Sequence, residues 1–149
     1  MKILLAVDDS PYSSEAVGAV ATRPWPPETT VRVLSVVENV APPAAELWYG
    51  AGGDLERVQR ELINRAERLT ARVAESLGAS GLKAEPVTRE GDPRSVIVDE
   101  AKEWSADLIV LGSHGYAGFK RLLLGSVAQS VASHAPRPVE IVRRKSIEA

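Results

Sequence analysis

Lys2-Ile3-Leu4-Leu5-Ala6-Val7-Asp8-Asp9-Ser10-Pro11 decides how the rest of the chain is read. Ile3 to Val7 is an unbroken apolar run closed by an acid pair. That is the pattern of a strand buried on both faces of a parallel sheet, expected here over residues 2–8. A secretory leader needs about 7–15 apolar residues at its centre, so this shorter run reads as a strand. Ser10-Pro11 then supplies a helix N-cap and a proline at the first helical position. A strand feeding directly into a capped helix is the opening of a β-α-β unit.

The same alternation continues outward. Ala16, Val17, Val20 and Ala21 form the inner stripe of the first helix, and Pro24, Pro26 and Pro27 stop it. Residues 31–37 are rich in β-branched side chains and predict a second strand. Residues 38–53 form the one long irregular stretch, carrying Leu47-Trp48-Tyr49. From 54 to 77 the apolar positions 55, 58, 62, 66, 69, 73 and 77 step by threes and fours, the mark of an amphipathic helix. Gly78 stands where its C-cap is expected. A weaker strand is predicted over 82–87. Gly91-Asp92-Pro93 repeats the cap-then-proline device before the stripe Val96, Ile97, Ala101 and Trp104. Residues 107–111 predict a fourth strand, 112–124 a glycine-rich loop, 125–134 a short helix and 138–142 a fifth strand.

Strands alternating with helices imply an α/β fold: an open five-stranded parallel sheet with helices on both faces, Rossmann-like. Right-handed crossovers favour few topologies, and the order 3-2-1-4-5 is expected. Such sheets bind ligands beyond the carboxyl ends of the strands, where the strand order reverses. In this order that point lies between strands one and four, which end at Asp8 and Gly112.

A length of 149 residues predicts one domain spanning 1–149. With 18 Lys and Arg against 20 Asp and Glu, the net charge of −2 gives no basic excess and argues against a nucleic-acid binder. Zero cysteines exclude a disulfide framework, a thiol nucleophile and any cysteine zinc site. No apolar run approaches the ~20 residues of a membrane span. A cytoplasmic protein with no membrane partner is the expectation.

The chemistry concentrates in Gly112-Ser113-His114-Gly115 and Gly125-Ser126-Val127, separated by nine residues from Tyr116 to Leu124. Glycines after a strand let backbone N–H groups approach an anion. A glycine at a helix start leaves the positive end of the dipole facing a phosphate. The same glycines are equally the furniture of ordinary turns, and Ser126 can simply cap a helix. No Gly-Lys-Ser/Thr closes a P-loop, and Asp8-Asp9-Ser10 is not a dinucleotide glycine turn. His114 has no sequence-local partner of a catalytic triad, and Ser126 lacks the Gly-x-Ser-x-Gly elbow of a hydrolase. Asp8 can accept from a ribose hydroxyl, help place a divalent cation, or cap the following helix. Lys120 and Arg121 read equally as phosphate screens or solvated charges.

Gly112-x2-Gly115-x9-Gly125-Ser126 resembles the ATP-binding signature of the universal stress protein family. Segments resemble the family over nearly the whole chain: Ile3-Leu4-Leu5-Ala6-Val7-Asp8-Asp9-Ser10, Val33-Leu34-Ser35-Val36-Val37, Ala106-Asp107-Leu108-Ile109-Val110-Leu111-Gly112-Ser113-His114-Gly115, and Pro136-Arg137-Pro138-Val139-Glu140-Ile141-Val142. The resemblance implies adenine near Val36, with Ala6, Val7 and Asp8 beside the nucleoside. It places Gly112, Ser113, His114 and Gly115 at the ribose and phosphates, and Gly125, Ser126 and Val127 on the phosphates. ATP with Mg is the cofactor it implies. It also implies a homodimer through the last strand, where Val139, Ile141 and Val142 lack a guarding lysine. The expected activity is nucleotide-dependent regulation of a protein partner in a stress response, without efficient turnover. The alternatives are a slow or autophosphorylating ATPase and an interaction module that binds no nucleotide.

Overall fold

Ile3, Leu4 and Leu5 are fully buried because they lie in the central strand of the sheet, covered on both faces. The computed structural model describes residues 1–39, 52–115 and 124–144. Leu47-Trp48-Tyr49, Lys120 and Arg121 lie outside the described residues. The elements run β1 (Lys2–Ala6), α1 (Pro11–Thr22), β2 (Thr30–Val37), α2 (Gly52–Ala79), β3 (Lys83–Glu90), α3 (Pro93–Trp104), β4 (Leu108–Gly112), α4 (Ser126–His134) and β5 (Val139–Val142). All neighbouring strands pair in parallel, in the order β3-β2-β1-β4-β5. The expected Rossmann-like α/β sheet is the fold.

Strand residues alternate between the two faces, so the apolar runs divide into two cores. Ile3, Leu5, Val7, Val31, Val33 and Val110 pack against Ala16 and Val20 of α1 and Ala74 and Leu77 of α2. Leu4, Leu34, Ile109 and Leu111 pack against Ile97 and Ala101 of α3 and Ala128 and Val131 of α4. A fully buried Leu contributes about 1.5–3 kcal/mol of transfer free energy, so β1 anchors both layers at once. Glu100 of α3 is buried between Arg32 Nη1 at 3.0 Å and Arg89 Nε at 3.2 Å, tying α3 to β2 and β3.

The caps read from the sequence are in place. Ser10 accepts from the Ser13 N–H at 3.2 Å, with Pro11 opening α1. Asp92 accepts from the Arg94 N–H at 3.0 Å, with Pro93 opening α3. The Arg94 guanidinium on Asp92 holds its carboxyl below the ordinary carboxylate range.

Beyond shifts of one or two residues at element ends, such as β1 ending at Ala6 and α2 starting at Gly52, two expectations need correction. Gly78 is not the cap of α2, which continues through it to Ala79. Gly81, at φ +91°, is the left-handed residue. Its N–H donates to Gly78 O at 3.0 Å and the Leu82 N–H donates to Leu77 O at 3.1 Å, the paired bonds of a Schellman motif. Leu82 and Leu77 share one apolar cluster, as that motif favours. The third strand also runs on to Glu90, beyond the expected 87, paired with β2 throughout. Thr88, Arg89 and Glu90 are polar because β3 is a sheet edge, so hydropathy does not mark its end. Pro86 is tolerated there for the same reason.

Candidate functional site

The reversal of strand order falls between β1 and β4, where β1 continues into α1 and β4 into the glycine segment. Asp8 follows β1. Its backbone N–H donates to Ser13 Oγ at 2.9 Å, and its Oδ1 accepts from the Ser10 N–H at 2.8 Å. Asp8 therefore shapes the turn into α1, while Ser10 serves as the N-cap. On its other side, a side chain at Gly115 would place Cβ 3.2 Å from Asp8 Oδ2. Gly115 thus lets the segment after β4 lie against this carboxylate.

Gly112 has a different reason to be glycine. A Cβ there would stand 2.8 Å from the backbone carbonyl carbon and oxygen of Tyr12, in the first turn of α1. The residue lets α1 close onto the end of β4, a packing role that the glycine spacing alone does not reveal.

Ser113 is gripped on both sides. Its N–H donates to Val142 O of β5 at 3.0 Å, and its carbonyl accepts from the Gly125 N–H at 2.7 Å. Its side chain is buried at 3% exposure, with Oγ 3.0 Å from His114 Nδ1. The hydroxyl thus serves His114, whose ring also packs on Tyr12 with centroids 4.9 Å apart. Tyr12 is absent from the residues singled out by sequence. The available signal was its place directly after Ser10-Pro11, which puts it at the carboxyl end of β1.

Gly125 closes the cradle. A Cβ on it would come within 3.0 Å of His114 Cα and 3.2 Å of Ser113 O. It stands at the N-cap of α4 and offers no side chain to the first-turn amides. Those N–H groups and the helix dipole form the positive end of the site. Ser126 is exposed in that first turn, and Val127 is half-buried. Ala6, Val36 and Val127 all pack against the core beneath α3 and α4. Val7 does not share their face: its side chain is in the opposite core, and its N–H donates to Leu34 O at 2.8 Å.

Direct contacts therefore unite Asp8, Gly112, Ser113, His114, Gly115 and Gly125, and add Tyr12. Val36 lies on the neighbouring strand β2 rather than in this cluster. The arrangement offers anion-binding amides at the β4–α4 side, a carboxylate at the end of β1, and an apolar floor toward β2. An elongated ligand with an anionic head and a flat apolar end matches those three parts.

Comparison with known proteins identifies the family of the chain. The model of the universal stress protein family matches residues 1–143. Universal stress protein YxiE of Bacillus subtilis is 28% identical over 145 residues, covering 95% of this chain and 98% of its own. The solved structure of MJ0577, a universal stress protein of Methanocaldococcus jannaschii, superposes with a TM-score of 0.84 at 27% identity, over 97% of this chain and 96% of that one. A family protein from Arabidopsis thaliana, solved with AMP bound, shares the fold with a TM-score of 0.65 at 18% identity, over 99% and 94% of the two chains. No helix among the described residues is long and apolar enough to cross a membrane. With the family's model matched over all of the sheet and both sides of the cradle, the chain belongs to the universal stress protein family.

Proposed function

We propose that residues 1–149 form one nucleotide-binding domain that takes ATP with Mg²⁺ in the crevice beyond β1, β2 and β4. The observation that carries this reading is the cradle itself. Gly125 is pressed against Ser113 and His114, Gly115 lies against Asp8, and the first turn of α4 is left without a side-chain cap. In this reading the phosphates sit on the amides of Ser126 and Val127 and on the 112–115 segment. Asp8 faces the ribose or the Mg²⁺, and Val36 and Ala6 form the wall for adenine. Mg²⁺ holds chiefly to phosphate oxygens and water, as this ion commonly does. Hydrogen bonds to charged groups contribute about 1.5–3 kcal/mol each, so three or four support micromolar affinity after the ordering cost.

The protein acts by binding rather than by turnover. ATP orders the cradle, and Ser113 passes that order to β5 through its bond to Val142 O. β5 is the sheet edge through which two copies pair: Val139, Ile141 and Val142 are only half-buried in one chain. The opposite edge, β3, carries Lys83, Glu85, Pro86 and Arg89, which discourage such pairing. The homodimer works in the cytoplasm, where nucleotide occupancy during stress changes what a protein partner meets.

The test is to purify the protein gently, denature it, identify released nucleotide by mass spectrometry, and titrate Mg·ATP into the stripped protein. Stoichiometric micromolar binding with no phosphate release above background is expected. No released nucleotide and no binding would refute the reading. A monomer at micromolar concentration in sedimentation would refute the dimer.

A further inference from the structure

We propose that Tyr12 is a positioning residue of the nucleotide site, holding His114 where it meets the phosphates; this rests on the nucleotide reading above. Tyr12 is the second residue of α1, and its backbone is seated on Gly112 with no room for a Cβ between them. That contact fixes the start of its side chain relative to the end of β4. From there the ring reaches His114 with centroids 4.9 Å apart and planes inclined by 46°, inside the range of a favourable aromatic pair.

Ser113 Oγ holds the same imidazole from another side, 3.0 Å from Nδ1. Ser113 is itself immobilised by burial and by backbone bonds to Val142 and Gly125. The His114 ring is thus set between a buried hydroxyl and an aromatic face, and its Cα borders Gly125 at the start of α4. An imidazole fixed beside a helix N-terminus adds a directed hydrogen bond to the amides that receive an anion.

Place in the sheet separates this pair from the base. Tyr12 and His114 meet at the β4 side, and Val36 lies on β2, across β1. Loss of the Tyr12 ring therefore weakens the hold on phosphates and leaves the hold on adenosine unchanged. The size is that of one aromatic contact, about three- to tenfold in affinity.

Calorimetric titration of Mg·ATP and of adenosine into wild type, Tyr12→Ala, Tyr12→Phe, His114→Ala and the double Ala variant tests this. Tyr12→Leu replaces Tyr12→Ala if the latter unfolds below the assay temperature. Tyr12→Ala is expected to bind ATP three- to tenfold more weakly and adenosine as wild type does. Tyr12→Phe should restore ATP affinity, and the double variant should be no weaker than His114→Ala. The His114 ring resonances should shift in Tyr12→Ala and return in Tyr12→Phe. Wild-type ATP affinity in Tyr12→Ala, equal losses for ATP and adenosine, or additive losses in the double variant would each overturn the role of Tyr12 alone. Failure of wild type to bind either ligand would overturn the underlying site as well.

Discussion

At the carboxyl ends of the strands the proposed ligand crevice is built around glycines. Gly112, Gly115 and Gly125 each abut another segment where a side chain would stand. At the amino ends, a hollow of about 320 Å³ is lined by residues that include Arg23, Trp25, Pro26, Pro27 and Leu82. Two of its polar side chains bond to the chain itself: Trp25 Nε1 donates to Val20 O at 2.8 Å, and Thr29 Oγ1 donates to Pro26 O at 2.6 Å. Arg23, at its rim, is paired with Glu140. Helix direction separates the two ends further. α4 points its N-terminus into the carboxyl-end crevice, whereas α1 and α2 end beside the amino-end hollow with no basic residue in their last turns. The dipoles attract phosphate at the first and repel it at the second. On the proposed assignment of the site, helix direction is a better guide to it than volume.

The sharpest way to break this comparison is Gly125→Val. Its Cβ meets backbone rather than a movable side-chain end, so the cradle must open. ATP affinity should fall by about a hundredfold or more, close to 3 kcal/mol, while circular dichroism keeps the helical signal. Binding that survives the change would remove Gly125 from the phosphate site.

The matching change at the other end is Gly81→Ala. Its Cβ has open space around it, and only the φ of +91° opposes it. The expected cost is roughly 1–2 kcal/mol of stability, seen as a lowered thermal midpoint, with ATP affinity unchanged. A loss of affinity would show that the two ends are coupled.

The smallest effect belongs to Glu140→Gln. Arg23 holds the Glu140 carboxyl below the ordinary carboxylate range through their hydrogen bonds. A group lowered on folding stabilises above its unfolded pKa, and the gain is lost as pH falls through the lowered value. Both side chains are partly exposed, so the gain is below about 1 kcal/mol. Thermal midpoints of wild type and variant should differ near neutral pH and converge in acid, at constant ATP affinity. Equal midpoints at every pH would show that the pair contributes nothing.

How much of this was legible depends on the scale of the signal. The elements followed from apolar runs and cap-proline pairs, which are local; crossover handedness only narrowed the strand orders, of which 3-2-1-4-5 was the expected one and is the one found. The glycine spacing pointed to the end of β4, where Gly112, Gly115 and Gly125 each pack closely against a neighbouring segment. What the sequence did not mark was contact between segments far apart in the chain. Gly112 accommodates Tyr12, a hundred residues earlier, and no spacing announces that. The resemblance put Ser113 at the ribose and phosphates, yet its hydroxyl is buried against His114. Gly78 was the expected helix cap because apolar periodicity ends at Leu77, whereas the helix continues to Ala79 and the left-handed turn comes at Gly81.

The most direct measurement is a map of amide shifts in isotopically labelled protein as Mg·ATP is added. Saturable shifts should appear at Asp8, Gly112, Ser113, Gly115, Gly125 and Ser126, with Gly81, Leu82 and the Trp25 indole unmoved. Shifts centred on the amino-end hollow, or none at all at millimolar ATP, would contradict the assignment of the carboxyl-end crevice as the nucleotide site.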